Sequence, residues 1–298
     1  MKQGTIKADI LLLLTAAIWG FAFVAQRVGM DYVGPFTFNA VRFALGSLSL
    51  IPLILLLKKS QPQTKREAQK PVVIGGLLAG GALFAGASLQ QAGLVYTSAG
   101  KAGFITGLYV VIVPLLGLFW KQRPRLGTWF GAILAAVGLY FLSITDDFSI
   151  SFGDLLVLIG AFFWSGHVLL IGWLAPRTDS LKLASAQFAV CSVLSFATAF
   201  AIETITLDSI LQATVPILYG GLGSVGIAYT LQVIAQREAH PAHSAIILSL
   251  EGVFAAIGGW LLLGEILSLR GFFGCALMLV GMLLSELSGF FSKQKSSL

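Results

Sequence analysis

The amino-acid sequence predicts an all-α membrane protein in which ten transmembrane helices form two inverted five-helix repeats. Three observations carry that expectation. The 298 residues are 57% hydrophobic and 11% charged, where soluble domains average roughly 25% charged residues; lipid has to be the solvent for most of such a chain. Apolar stretches of about 20 residues, the length that crosses hydrocarbon, recur along the whole sequence. One pattern also occurs twice. Asp9–Gly20 reads D-I-L-L-L-L-T-A-A-I-W-G and Asp154–Ser165 reads D-L-L-V-L-I-G-A-F-F-W-S, so Asp9 and Asp154, like Trp19 and Trp164, stand 145 residues apart. The same offset carries Arg42-Phe43-Ala44 onto Gln187-Phe188-Ala189. Residues 1–298 are read as one membrane domain, with a first repeat at 9–144 and a second at 154–290.

The first span, Asp9–Arg27, holds Trp19 at mid-depth, away from the interfaces where tryptophan usually anchors. Its stretch Ile10–Ala25 has no small-residue cleavage site after it and is expected to be a retained helix. The second, Pro35–Leu57, places Arg42 about one-third of the way in, with Asn39 about one turn earlier on the same face. The third, Val72–Ala92, is rich in glycine, and Gln90, Gln91 and Tyr96 near its end offer polar atoms to a cavity. The fourth, Ser98–Trp120, has Lys101 near its outer end, and the fifth is Leu126–Ile144. The sixth, Asp154–Leu174, repeats the first and puts His167 three residues beyond Trp164. The seventh, Leu181–Ile202, carries Gln187 where the second carries Arg42. The eighth, Ala213–Ala235, is again glycine-rich; the ninth, Ala242–Leu263, has Glu251 near mid-depth; the tenth is Leu269–Phe290. Pro52 and Pro114 fall inside helices and act either as hinges or as simple curvature. Small residues four apart, such as Gly76 and Gly80 or Gly127 and Gly131, let helix backbones approach closely in lipid.

Five spans per repeat is an odd number, so the second copy enters the membrane upside down. Ten spans put both termini on one face. That face carries fifteen of the nineteen basic residues, including Lys58, Lys59, Lys65, Arg66, Lys70, Lys121, Arg123 and Arg125. The positive-inside rule then places both termini in the cytoplasm of a multi-pass inner (plasma) membrane protein. The net charge of +6 is thereby an orientation signal, and no nucleic-acid partner is expected. Lys58–Lys70 reads as a cytoplasmic connector and Thr145–Gly153 as the outer link between the repeats.

A charge at the centre of a membrane helix costs about 2.5–3.5 kcal/mol, so buried charges are expected to face a cavity or a partner. Glu251 is either a cavity carboxylate, binding a substrate ammonium or cycling a proton, or an acid that anchors helix packing. Lys101 snorkels to the headgroups, pairs with Glu251, or holds a substrate carboxylate. Arg42 and Gln187 line the cavity, each on its own half, or Arg42 bonds the carbonyls of a neighbouring helix. Trp19 and Trp164 are buried packing rings or cavity walls that stack on a substrate. His167 is a satisfied core histidine or a proton relay. The candidate substrate-binding set is Trp19, Asn39, Arg42, Gln90, Tyr96, Lys101, Trp164, His167, Gln187 and Glu251. Cys191 and Cys275 read as small hydrophobes in helix packing. His240 and His243 lack a third ligand, and neither a metal nor a cofactor is expected. The sequence has no G-x-S-x-G, no phosphate loop, no H-E-x-x-H and no C-x-x-C. An enzyme or an ATP-driven pump is therefore not expected, and transport has to draw on a substrate or ion gradient.

These residues resemble the drug/metabolite transporter superfamily, specifically its ten-helix EamA-type branch. Leu263-Gly264-Glu265-Ile266-Leu267-Ser268, followed by Gly274 and Gly281, is similar to the G-E-x-L-S step that ends an EamA repeat. Ser249-Leu250-Glu251-Gly252-Val253-Phe254-Ala255 resembles the family's S-L-E-P-V-F-A, with Gly252 where proline is usual. Gly131 and Gly138 match Gly274 and Gly281 at an offset of 143, and the resemblance covers nearly the whole chain. It implies a carrier of small metabolites, often amino acids and often moved outward. It also implies a midplane cavity enclosed by four inner helices of each half, with the fifth and tenth spans at the periphery. Two departures stand out. Leu14–Trp19 contains no acid where the small four-helix multidrug relatives carry a glutamate, and Gln122 replaces the glutamate of the first G-E-x-L-S step. The expected function is a secondary transporter of amino acids or similar amphiphilic compounds, acting by alternating access, with membrane lipid around it. The alternatives are a multidrug or sugar-type carrier of the same fold and, from another class, an intramembrane lipid-modifying enzyme. The small-residue faces allow either a monomer or a homodimer.

Overall fold

In lipid, every backbone polar group has to be bonded within its own segment, and the chain answers with helices throughout. The structure, a computed structural model, describes residues 3–58, 69–120, 126–143, 150–239 and 241–295. Most of the Lys58–Lys70 connector, Lys121, Gln122, Arg123, Arg125, most of the Thr145–Gly153 link and His240 lie outside the described residues. The first half comprises α1 (Gln3–Gly29), α2 (Pro35–Lys58), α3 (Gln69–Gly93), α4 (Ala99–Thr106), α5 (Tyr109–Gly117) and α6 (Leu126–Ser143). The second comprises α7 (Phe152–Leu174), α8 (Ser180–Ile202), the short α9 (Leu207–Gln212), α10 (Thr214–Leu218), a π-helical stretch at Tyr219–Tyr229, α11 (Thr230–Ala235), α12 (Pro241–Ser249), α13 (Glu251–Leu263) and α14 (Leu269–Lys295). Among the described residues, eight helical runs are long and apolar enough to cross a membrane, and shorter apolar helices cover Trp129–Leu142 and Leu269–Gly281.

Three expected spans are not simple helices. The fourth breaks at Gly107–Leu108 and the ninth at Leu250. At both breaks the ladder tightens: Leu108 N–H donates to Ile105 O at 3.1 Å and Leu250 N–H to Ile247 O at 3.2 Å. The interruption in the fourth span thus lies six residues before Pro114, which sits inside α5. The glycine-rich eighth span widens into the π-helical stretch. Its glycines let it press on α2, since a Cβ on Gly221 would stand 2.8 Å from Leu45 Cβ and one on Gly226 2.8 Å from Ser49 Oγ.

Corresponding helices of the two halves pack antiparallel. The Ser47 and Ser185 hydroxyls meet at 3.2 Å while Ser192 Oγ donates to Ala40 O at 2.8 Å, so α2 and α8 run in opposite directions. In the α6–α14 pair, Gly138 lies against Gly274 and Gly131 against Gly281. A Cβ on Gly274 would stand 2.7 Å from Gly138 O, and one on Gly281 2.6 Å from Gly131 O. These glycines therefore let backbones touch, as small residues do in membrane bundles. α6 and α14 pack chiefly on each other and meet the remaining helices through α4, α5 and α12.

The Leu263–Ser268 step has a direct physical reading. Gly264 takes a left-handed conformation (φ 65°) that ends α13. The turn brings the Glu265 carboxylate back to accept the N–H groups of Ala99 (2.8 Å) and Gly100 (3.1 Å) at the start of α4. Ser268 Oγ then accepts the Gly271 N–H at 3.0 Å and opens α14. Glu203, at the end of α8, does the same for α2, accepting from Phe36 N–H at 2.9 Å and Thr37 N–H at 2.8 Å. An anion is favoured at a helix N-terminus, where unpaired N–H groups and the macrodipole point at it.

Candidate functional site

Polar side chains inside the bundle converge on a small cavity between the halves. From α1 it receives Trp19, Phe23 and Gln26, spaced to fall on one helix face. Trp164 and His167 enter from α7, Arg42 from α2 and Gln90 from α3. The two helix breaks contribute Tyr109 and Glu251, and the widened eighth span contributes Ser224, Tyr229 and Gln232. The cavity volume is ≈ 30 Å³, room for about one or two waters.

Aromatic rings form one wall. The Tyr229 ring centroid lies 4.4 Å from that of Trp19, 6.1 Å from that of Trp164 and 6.2 Å from that of His167. Both indoles are held by their N–H groups. Trp164 Nε1 donates to Gln90 Oε1 at 2.9 Å, and Gln90 Nε2 donates in turn to Gln26 Oε1 at 3.0 Å. Trp19 Nε1 donates to Ser224 O at 3.2 Å, in the π-helical stretch. Each half's mid-span tryptophan is thus fastened to the third span of the other half.

Arg42 is fully enclosed, at 1% exposure. Its Nε donates to Asn39 Oδ1 at 2.9 Å, and its guanidinium carbon lies 4.8 Å from the Phe43 ring centroid and 5.5 Å from that of Phe38. Among the described residues no carboxylate pairs with it. Glu251 is the first residue of α13, and its buried Oε1 has no hydrogen-bond partner. Asn39 Nδ2, Gln187 Nε2 and Gln232 Oε1 are likewise buried and unpartnered. Buried polar atoms are nearly always bonded, so such a cluster marks a place for water or a ligand. The lining thus offers a guanidinium, a carboxyl group and aromatic rings to one small cavity.

Six of the residues singled out in the sequence line this cavity: Trp19, Arg42, Gln90, Trp164, His167 and Glu251. Asn39 and Gln187 sit one layer behind. Asn39 orients Arg42, and Gln187 Oε1 lies 2.8 Å from His167 Nε2. Lys101 and Tyr96 are elsewhere. Lys101 Nζ lies 2.9 Å from Asp154 Oδ2 and does not pair with Glu251, because the start of α7 packs on the start of α4 and presents a fully buried carboxylate there. Both Lys101 and Tyr96 line an open vestibule of ≈ 460 Å³, with Arg27 and Glu265 beside them. Tyr96 follows the end of α3, is 63% exposed, and meets the Phe152 ring edge-on at 5.4 Å. Gln26, Tyr109, Tyr229 and Gln232 were not singled out. A polar residue seven positions beyond Trp19 was the available signal for Gln26; tyrosines in an apolar span give none. Cys191 and Cys275 are buried thiols without a disulfide.

Apolar helices in two matching halves around a small cavity lined by both rings and polar side chains are the build of a multi-pass membrane transporter for small molecules. The sequence profile of the EamA-like transporter family matches residues 6–144 and again 151–287, and the chain belongs to that family. It is a transporter, not an enzyme. An uncharacterized transporter of Archaeoglobus fulgidus is 34% identical over 94% of this chain and 86% of its own length. The uncharacterized transporter YoaV of Bacillus subtilis is 22% identical over 97% of this chain and 99% of its own. A solved crystal structure shares the fold, with a TM-score of 0.69 at 20% identity, over 94% of this chain and 96% of that one.

Proposed function

We propose that this chain is a secondary carrier that moves small zwitterionic metabolites, amino acids foremost, by alternating access, and that it works as an exporter in the inner (plasma) membrane. Its ten spans form two inverted five-helix repeats, 9–144 and 154–290, with both termini cytoplasmic. The antiparallel packing of α2 on α8 and of α6 on α14 supports the inversion, as do the reciprocal tryptophan bonds. The outward direction rests on the family resemblance.

The observation that carries the substrate class is the pairing of opposite charges on one cavity. Arg42 has no acidic partner among the described residues, and Glu251 has an unpartnered oxygen. A guanidinium receives a carboxylate with charge-assisted hydrogen bonds, and a carboxylate receives an ammonium. An apolar substituent then lies against Trp19, Trp164 and Tyr229. Small-molecule pockets measure about 300–1,000 Å³, so the ≈ 30 Å³ cavity belongs to a closed conformation that widens as the halves rock.

Counterflow in proteoliposomes tests this reading. Vesicles preloaded with unlabelled amino acids should accumulate at least one radiolabelled apolar or aromatic amino acid, and Glu251→Gln and Arg42→Met should each abolish the accumulation. Accumulation of cationic drugs or sugars, and of no amino acid, would move the assignment to those substrates.

A further inference from the structure

Two side-chain contacts in the structure, one a lysine–carboxylate ion pair and the other a histidine–carboxylate contact, are copies of one another. Lys101 of α4 holds Asp154 of α7 at 2.9 Å, and Asp9 of α1 holds His243 of α12 at 2.8 Å. Asp9 and Asp154 are 145 residues apart and Lys101 and His243 are 142 apart, so the repeat relation carries one pair onto the other. Each pair joins the first helix of one half to the fourth span of the other. Each acid lies ten residues before its half's cavity tryptophan, Trp19 or Trp164, about 15 Å along the helix. The start of α7 lies beside the end of α1, since Ser151 and Arg27 line the same vestibule. The two pairs therefore stand at opposite ends of the cavity. On the Lys101 side the barrier is thin. Gln26 lines the cavity and the adjacent Arg27 lines the vestibule. Thr97 Oγ1 also donates to Asp154, at 2.5 Å.

We propose that Lys101–Asp154 and Asp9–His243 are the two gates of the cavity, each clamping one half to the other on its own face and opening in alternation. This rests on the carrier reading, in which the halves rock about the cavity. Asp154 is fully buried and Lys101 28% exposed, while His243 and Asp9 are 33% and 27% exposed. A buried carboxylate that loses its cation is strongly disfavoured, so opening the Lys101 side requires water or another partner to enter as the pair separates.

The test is sided thiol labelling of the intact chain in vesicles of known orientation. The reporter is Ser224→Cys, on the cavity wall, in a Cys191→Ser, Cys275→Ser background, and the probe is a membrane-impermeant maleimide. Labelling is read by mass spectrometry of the peptide containing position 224. Asp154→Asn should raise labelling about tenfold from the Lys101 face alone, and Asp9→Asn about tenfold from the opposite face alone, as a shift between two pre-existing states. The exchange Lys101→Asp with Asp154→Lys should return labelling to the parent level. Should Asp154→Asn fail to fold, Lys101→Gln serves instead, keeping Asp154 and an N–H donor beside it, and should raise labelling from the Lys101 face alone. Unchanged labelling, or both variants opening the same face, overturns the proposal. The readout needs no transported substrate. One-sided labelling without counterflow would keep the gates and sink the carrier reading, and counterflow with labelling blind to side would do the reverse.

Discussion

The Glu265 carboxylate accepts the backbone N–H of Ala99 at 2.8 Å, tying the end of α13 to the first turn of α4. The two residues are 166 positions apart and lie in different halves. Gly264 makes the contact possible, because its left-handed backbone turns the chain by the tightest available route. The G-E dipeptide is therefore a tether between the halves. Glu265→Ala should lower stability by about 2 kcal/mol, the scale for losing hydrogen bonds to a charged group, with Glu265→Gln between it and the parent. Gly264→Ala should cost about 1–2 kcal/mol for a left-handed residue bearing a Cβ. Thermal unfolding in detergent reads both.

Adjacent glycines of α3 should respond in opposite directions to the same change. A Cβ on Gly80 would stand 2.6 Å from Val190 Cβ and 2.8 Å from Gln187 O, whereas a Cβ on Gly81 meets nothing within 4 Å. Gly81→Ala should stabilise by about 0.5–1 kcal/mol through helix propensity alone. Gly80→Ala should destabilise, because α8 would have to move away. The sign of the change in unfolding temperature separates the two.

Asn39→Asp should lower counterflow of a zwitterionic substrate by about tenfold or more while leaving the fold at least as stable. It sets a carboxylate where Asn39 Oδ1 now lies, 2.9 Å from Arg42 Nε, and so satisfies the guanidinium from within. A substrate carboxylate would then have to displace an internal ion pair. Retained counterflow alongside unchanged unfolding temperature would show that Arg42 does not receive the substrate carboxylate.

Tyr229 touches the rings of Trp19, Phe43, Trp164, His167 and Phe188. Tyr229→Ala should cost about 3–5 kcal/mol, as for other large aromatic-to-alanine changes in a packed interior. Tyr229→Phe keeps the ring and should stay within about 1 kcal/mol of the parent. Chemical denaturation monitored by tryptophan fluorescence compares the two.

Epitope tags placed at Met1 and Leu298 should be reached by antibody from the same side of sealed vesicles, the side on which the basic loops lie. Tags on opposite sides would mean an odd number of spans and would remove the inverted repeat.

Much of the cavity was legible because insertion into lipid makes polar residues conspicuous. Arg42, Glu251 and Gln90 stand out in apolar stretches, and the doubled position of Trp19 and Trp164 marks the repeat. The partner of Lys101 was not legible. The sequence suggested Glu251, and Asp154 takes its place because α7 begins beside α4. The helix breaks at Gly107–Leu108 and Leu250 were also hidden, since a run of apolar residues has the same hydropathy whether or not its ladder is continuous. Tyr229 escaped notice for a related reason. Tyrosine is compatible with both a lipid face and a buried face, and only the meeting of α1, α7 and the π-helical stretch puts it at the centre.

By itself the sequence determined the solvent, the apolar helical stretches, the duplication and the residue types that could not be left in hydrocarbon unattended. These follow from local composition and period, because the bilayer tests each segment separately for length and polarity. The tertiary structure alone decided which charges pair, which polar atoms stay unpartnered, and which rings share a wall. Those outcomes depend on side-chain contacts between helices that lie from about fifty to more than two hundred residues apart in sequence, and at bilayer depth many registers of smooth, small-residue faces satisfy the same hydropathy.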